Sequence, residues 1–234
     1  MDLGALWDFD DPAGSEARFR AAAEAANGDD RAMLTTQVAR ALGLQGRFGE
    51  GHEALDAIES PGAEVELRIA LERGRLLRSE GNSGAALPIF RTASARAAEA
   101  GLEGLELDAL HMIPLCLTGE EQLAATEHAI ERARHAATPD GRRWLGSLLN
   151  NLGMAHADAG EWSRALATFE EALAERRAQG DADNVFAARW MVAWALRNLG
   201  RMDEAREAQL ALKADLDAAG KADRYVDEEL ELLG

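Results

Sequence analysis

The chain has 234 residues, with 25 basic against 42 acidic side chains for a net charge of −17, only 5 prolines and 5% aromatics. That charge repels phosphate backbones and excludes nucleic acid as the expected partner. No stretch reaches the roughly 18 apolar residues of a membrane span, and no basic-then-apolar secretion signal opens the chain, so a cytoplasmic protein that touches no membrane is expected. The lone Cys116 excludes an internal disulfide framework and, between Leu115 and Leu117, reads as a packed thiol.

Residues 1–11 mix Leu3, Leu6, Trp7 and Phe9 with Asp2, Asp8, Asp10 and Asp11, without a basic residue. The simplest reading is a strap packed on the first helix. Asp11-Pro12 places a capping carboxylate before a first-turn proline. An Ala-rich helix then opens residues 12–30, with Phe19, Ala22, Ala23 and Ala26 on one side to cover the open face of the first helix pair.

From residue 31 to 216 one pattern recurs five times. The glycines Gly46, Gly81, Gly119, Gly160 and Gly200 break the chain at intervals of 35 to 41 residues. Seven residues before four of them stands a small residue, Ala39, Gly74, Gly153 or Ala193; the third has Met112 there and Pro114 inside its first helix. After the breakers, Ala86 to Phe90 and Ala165 to Phe169 place a small residue one helical turn before an aromatic, with weaker forms at Gly51 to Leu55, Ala124 to His128 and Ala205 to Gln209. Small residues let two antiparallel helices approach, so Gly153 and Ala165 are expected at a seam with Phe169. Ser60-Pro61 and Thr138-Pro139 read as helix starts, and Gly101, Gly180 and Gly220 as stops after the second helices. Tyr225, Val226, Leu230 and Leu233 suit a last capping helix over residues 222–233 with an acidic outer face.

The run of Leu149, Leu152, Gly153 and His156, then Gly160, Trp162, Ala165, Phe169 and Ala172, resembles the tetratricopeptide repeat. The resemblance implies an all-α, right-handed superhelical solenoid of antiparallel helix pairs, about five repeats between terminal capping helices, in a single domain over residues 1–234. The long repeats are similar to those of kinesin light chains and of sensor arms in bacterial signalling regulators, the second likeness resting on phrases such as Glu72-Arg73-Gly74-Arg75-Leu76-Leu77. Asn151 matches an Asn of the clamp by which some members grip chaperone tails. Ala109, Ile113, Ala187 and Met191 stand where its basic or polar partners would be. The chain departs from that clamp.

No phosphate-cradling loop, zinc-protease helix or serine elbow is present, and no carboxylate pair in an apolar setting marks an acid/base couple. His128 and His135 lie two turns apart, too far for one shared metal ion. His156 reads as a packed residue. An enzyme, a metal and a cofactor are therefore not expected, and function falls to the solenoid surface.

In the family the first helices line a concave groove. With the breaker glycines as register marks, that stripe holds Met33, Gln37, Arg40 and Leu44 in repeat one. It holds Arg68, Glu72, Arg75 and Ser79 in repeat two, and Glu106, Leu110, Ile113 and Leu117 in repeat three. Repeat four gives Ser147, Asn151, Met154 and Asp158, and repeat five Ala187, Met191, Trp194 and Asn198.

Arg40, Arg68 and Arg75 would meet carboxylates of a ligand. Met154, Met191 and Trp194 would take its apolar side chains, and Asn151 and Asn198 its backbone. The expected partner is an acidic and apolar protein or peptide segment, bound by an adaptor, scaffold or sensor. Other readings stand beside this one: the arginines pair with neighbours such as Glu72, the apolar residues only fill the winding, or Leu110, Ile113 and Leu117 form a homodimer interface. A sharper reading of residues 1–11 docks them in such a groove, of their own or a neighbouring chain, in competition with the ligand.

Overall fold

The computed structural model describes residues 3–59, 61–180 and 182–234, the side chains of 182 and 183 excepted. Regular structure among these residues is helical throughout, and the chain divides into two compact units, residues 1–125 and 126–234.

Unit 1 starts with a 3-10 turn at Gly4–Leu6 and with α1 (Pro12–Ala25), capped as expected by Asp11, whose carboxylate accepts from the Gly14 N–H at 2.9 Å. The first helix pair is α2 (Gly28–Leu44) with α3 (Phe48–Asp56), the second α4 (Ala63–Ser79) with α5 (Ser83–Glu99). Then come α6 (Glu103–Met112), a 3-10 turn at Pro114–Cys116, and α7 (Gly119–Arg134), which crosses the division between the units. α2 packs against α1, α3 and α4, while α5 lies between α4 and α6. Ser60 lies outside the described residues. The following helix starts at Ala63 instead of Pro61, and the N–H of Gly62 donates to Asp29 Oδ1 at 3.2 Å.

Unit 2 contains the rest of α7, the single turn α8 (Pro139–Arg142), α9 (Leu145–Asp158), α10 (Trp162–Gln179), α11 (Ala182–Asn198), α12 (Met202–Ala218) and α13 (Arg224–Leu233). Thr138 caps α8 by accepting from the Gly141 N–H at 3.1 Å. α10 packs between α9 and α11, α12 on α11, and α13 on both α12 and α11.

The five breakers all hold the left-handed backbone that glycine takes at no steric cost, with φ from +62° at Gly119 to +87° at Gly81. Four of them follow within two residues of the end of a first helix. Gly101, Gly180 and Gly220 close α5, α10 and α12 in the same conformation.

Close approach explains the small residues. A methyl group on Gly74 would fall 2.6 Å from Phe90 Cε1, and one on Gly153 2.4 Å from Phe169 Cε1. Both rings are completely buried. Repeat one carries a smaller version of the same seam, where Ala39 and Leu55 share a cluster with Leu76. Phe19 and Ala23 of α1 join Leu34, Val38 and Leu42 of α2, so the first helix does cover repeat one. Glu16 fastens it: its carboxylate accepts from Arg20, Gln45 and Arg47 at 2.7–2.9 Å.

Repeat three differs from its expected register. α6 stops at Met112, and Pro114, which cannot donate a helical hydrogen bond, turns the chain into a 3-10 turn held to α4 by Arg78 Nε on the Leu115 carbonyl at 3.1 Å. Leu110 is buried and Ile113 packs against the cluster of Leu71 and Phe90, so neither stands on an open stripe. His156 is packed, its side chain only 14% exposed, and its Nδ1 lies 2.8 Å from Glu161 Oε2, linking the end of α9 to the start of α10.

Candidate functional site

In unit 1 the stripe runs over α2, α4 and α6. Arg40 places its guanidinium over the rings of Trp7 and Phe9, at 5.7 and 5.8 Å from their centroids. The two rings stack on each other at 4.8 Å and 1°. One turn before Arg40 on α2, Gln37 Oε1 accepts the Trp7 indole N–H at 3.0 Å. Trp7 also meets Phe19 edge-on at 5.0 Å, Arg18 Nε donates to the Leu6 carbonyl, and Ser15 Oγ bonds both the N–H and the carbonyl of Asp8. The amino-terminal segment therefore lies across α1 and α2 and rests on two side chains that the repeat pattern assigns to the stripe.

Arg75 lies between Glu72, at 2.5 Å on its own helix, and Asp108 of α6, and its side chain is only 13% exposed. Burial works against its charge, but Asp108 and Glu72 outweigh it and raise the guanidinium pKa. Burial pushes the Asp108 carboxyl up, yet Arg75 and then Arg40 hold it below the usual carboxylate range. His111, one turn along α6, is lowered to about 4, mainly by burial, with Arg75, Arg40 and Arg78 acting in the same direction against Asp108. Arg40 and Arg75 thus share one charge cluster with Asp108 and His111. Arg68 pairs instead with Glu64, one turn earlier on α4, at 2.8 Å.

Sequence reasoning missed Asp108 and His111 because the register was counted back from Gly119, across the break that Pro114 makes. The available signal was a carboxylate between Leu107 and Ala109, where an apolar run leaves no place for an unpaired charge.

In unit 2, Met154 of α9 and Met191 and Trp194 of α11 come together at one cluster, half-buried against Phe169, Ala165 and Ala195. Trp194 meets Trp162 edge-on at 4.9 Å and stacks with Trp190 at 5.8 Å; Trp190 in turn meets Tyr225 at 6.2 Å and donates to its carbonyl. Asn151 is half-buried on α9, and Asn198 donates to the Trp194 carbonyl of its own helix at 2.8 Å.

Among the described residues, no three His, Cys, Asp or Glu side chains are grouped to hold a metal ion, and no helix is long and apolar enough to cross a membrane. Burial pushes the half-buried Cys116 thiol up.

Residues 148–183 match the family described as Tetratricopeptide repeat. No curated protein matches the sequence. Among solved structures, a putative kinesin light chain from Podosopora anserina with nearly identical TPR-like repeats is similar over 82% of this chain and 97% of its own, at 16% identity and a TM-score of 0.60. BtubC (BKLC) from P. vanneervenii is similar over 95% and 94%, at 16% identity and 0.59. A Rap protein, solved complexed with Competence and Sporulation Factor, is similar over 88% of this chain and 59% of its own, at 14% identity and 0.64. At these identities the likeness concerns the fold. Residues 148–183 thus match the family itself, and the helix pairs of the chain share the fold of solved TPR-like repeat structures.

Proposed function

We propose that the chain is a non-enzymatic interaction module that binds a peptide segment of a partner protein on the stripe of its first helices. The observation that carries this reading is the cluster of Met154, Met191 and Trp194, buried only in part, with Asn151 and Asn198 one turn away on the same helices. Thioethers and an indole adapt to varied apolar side chains, and amides serve an extended backbone. The complex of the Rap protein with Competence and Sporulation Factor supports ligand binding as a use of this architecture.

In unit 1 the arginines of the stripe are all engaged, Arg75 with Glu72 and Asp108, Arg68 with Glu64, and Arg40 with the rings of Trp7 and Phe9. A cytoplasmic setting fits this use.

The test is capture of a partner from source-cell lysate, followed by methyl spectra of the methionine-labelled chain. Binding should move the Met154 and Met191 methyls and leave Met202, exposed at the start of α12, in place. A partner that binds without moving either stripe methionine would sink the assignment.

A further inference from the structure

We propose that the α2 face centred on Gln37 and Arg40 recognises an acidic peptide carrying two aromatic side chains at positions i and i+2, and that residues 3–9 occupy it as a displaceable internal ligand. The inference rests on the peptide-binding reading above and supplies the chemistry of the partner.

Three features make this face a reader and not only a packing surface. The Gln37 amide oxygen takes the one hydrogen that an indole donates, at 3.0 Å, a directional contact that Phe or Leu cannot make. The Arg40 guanidinium lies almost equally far from two parallel, stacked rings, so it senses the pair and not a single ring. Residues 3–9 carry Asp8, and Asp10 and Asp11 follow, with no basic residue among them, on a molecule whose net charge is −17. Its contacts with basic residues run through backbone and rings, where Arg18 donates to the Leu6 carbonyl and Arg40 faces Trp7 and Phe9, and a negatively charged peptide is repelled by most of the remaining surface.

The segment is also lightly held. Phe9 remains 60% exposed while Phe19, against which Trp7 packs, is fully buried. Leu3, Leu6 and Trp7 are only half-buried, and the segment's regular structure is one 3-10 turn. An occupant tethered through so short a connection acts at an effective concentration of about millimolar. A peptide of the same chemistry arriving from outside must compete with it, so the intact chain responds only to a concentrated or tighter ligand.

The experiment uses the full chain with Trp7→Ala and Phe9→Ala, which empties the face, and a labelled synthetic peptide, Leu-Gly-Ala-Leu-Trp-Asp-Phe-Asp-Asp, followed by fluorescence anisotropy. The double variant should bind this peptide saturably, and the wild-type chain at least tenfold more weakly. Adding Arg40→Glu, or replacing the peptide's Trp and Phe by Ala, should abolish binding. A double variant that retains wild-type helicity and melting yet does not bind overturns the proposal.

Should that variant not fold, the wild-type chain labelled with nitrogen-15 gives a second reading. Excess peptide should move the Trp7 indole N–H signal, and a signal unmoved at millimolar peptide overturns the proposal as well. A partner that still shifts the Met154 and Met191 methyls while this peptide fails would sink this inference and leave the interaction module standing.

Discussion

Gln209 stands where repeats two and four carry Phe90 and Phe169, and it is as fully buried as those rings. Neither polar atom of its amide has a hydrogen-bond partner among the described residues. Burying an amide unpaired costs about 1–3 kcal/mol, so Gln209→Leu should stabilise the chain by about 1 kcal/mol or more, read as a higher urea midpoint at unchanged slope. A lower midpoint would mean that the amide is satisfied in solution. His111 makes the opposite kind of contribution. Its folded pKa of about 4 lies below the ordinary 6.5, so the unfolded chain takes up the proton first as pH falls. Its stabilising effect is complete above about pH 6.5 and is lost progressively toward pH 4. The melting temperature should therefore fall between pH 7 and pH 4.5, and less steeply in His111→Phe; equal slopes would remove His111 from the account.

At the level of elements, the seam between the paired helices decides most of the architecture. In Gly153→Ala the new methyl would meet the Phe169 ring at 2.4 Å, and Phe169 has no free side toward which to move. A loss of about 1–3 kcal/mol is expected, partly restored by Phe169→Leu, with thermal melts as the check. By contrast Gly84→Ala in α5 meets nothing within 4 Å and should be neutral or slightly stabilising. These seams were legible in the sequence because a helix break at positive φ demands glycine and a close crossing demands Gly or Ala. Both constraints leave a periodic trace. Repeat three was not legible, because Pro114 ends α6 seven residues before its glycine and the count from that glycine then misplaces the stripe. The residues of the expected stripe could be named from the sequence, but not their partners. Nothing in the spacing of Arg75 reveals that Asp108, thirty-three residues on, takes up its charge.

For the molecule as a whole, the two ends matter as much as the repeats. Each terminal helix hides a core layer that an open stack would expose: Phe19 of α1 covers Leu34 and Val38, and Val226 of α13 covers Leu212 and Leu216. The second lid is locked by Arg197, whose guanidinium grips Glu229 in a fork at 2.7 and 2.9 Å. Removing residues 224–234 should lower both solubility and melting temperature, and a truncation equal to the parent in both would deny α13 this role. The internal ligand at α2 has one further consequence, which concerns light. The chain has 5 tryptophans; Trp7 is the one in residues 1–125, and Trp144, Trp162, Trp190 and Trp194 all belong to residues 126–234. In a Trp7→Phe chain every photon of indole emission comes from unit 2, while far-ultraviolet dichroism reports both units. Following the two signals through one denaturant titration separates the melting of the halves without cutting the chain. In the wild-type chain, the added emission of Trp7 becomes a lamp set on the Arg40 face.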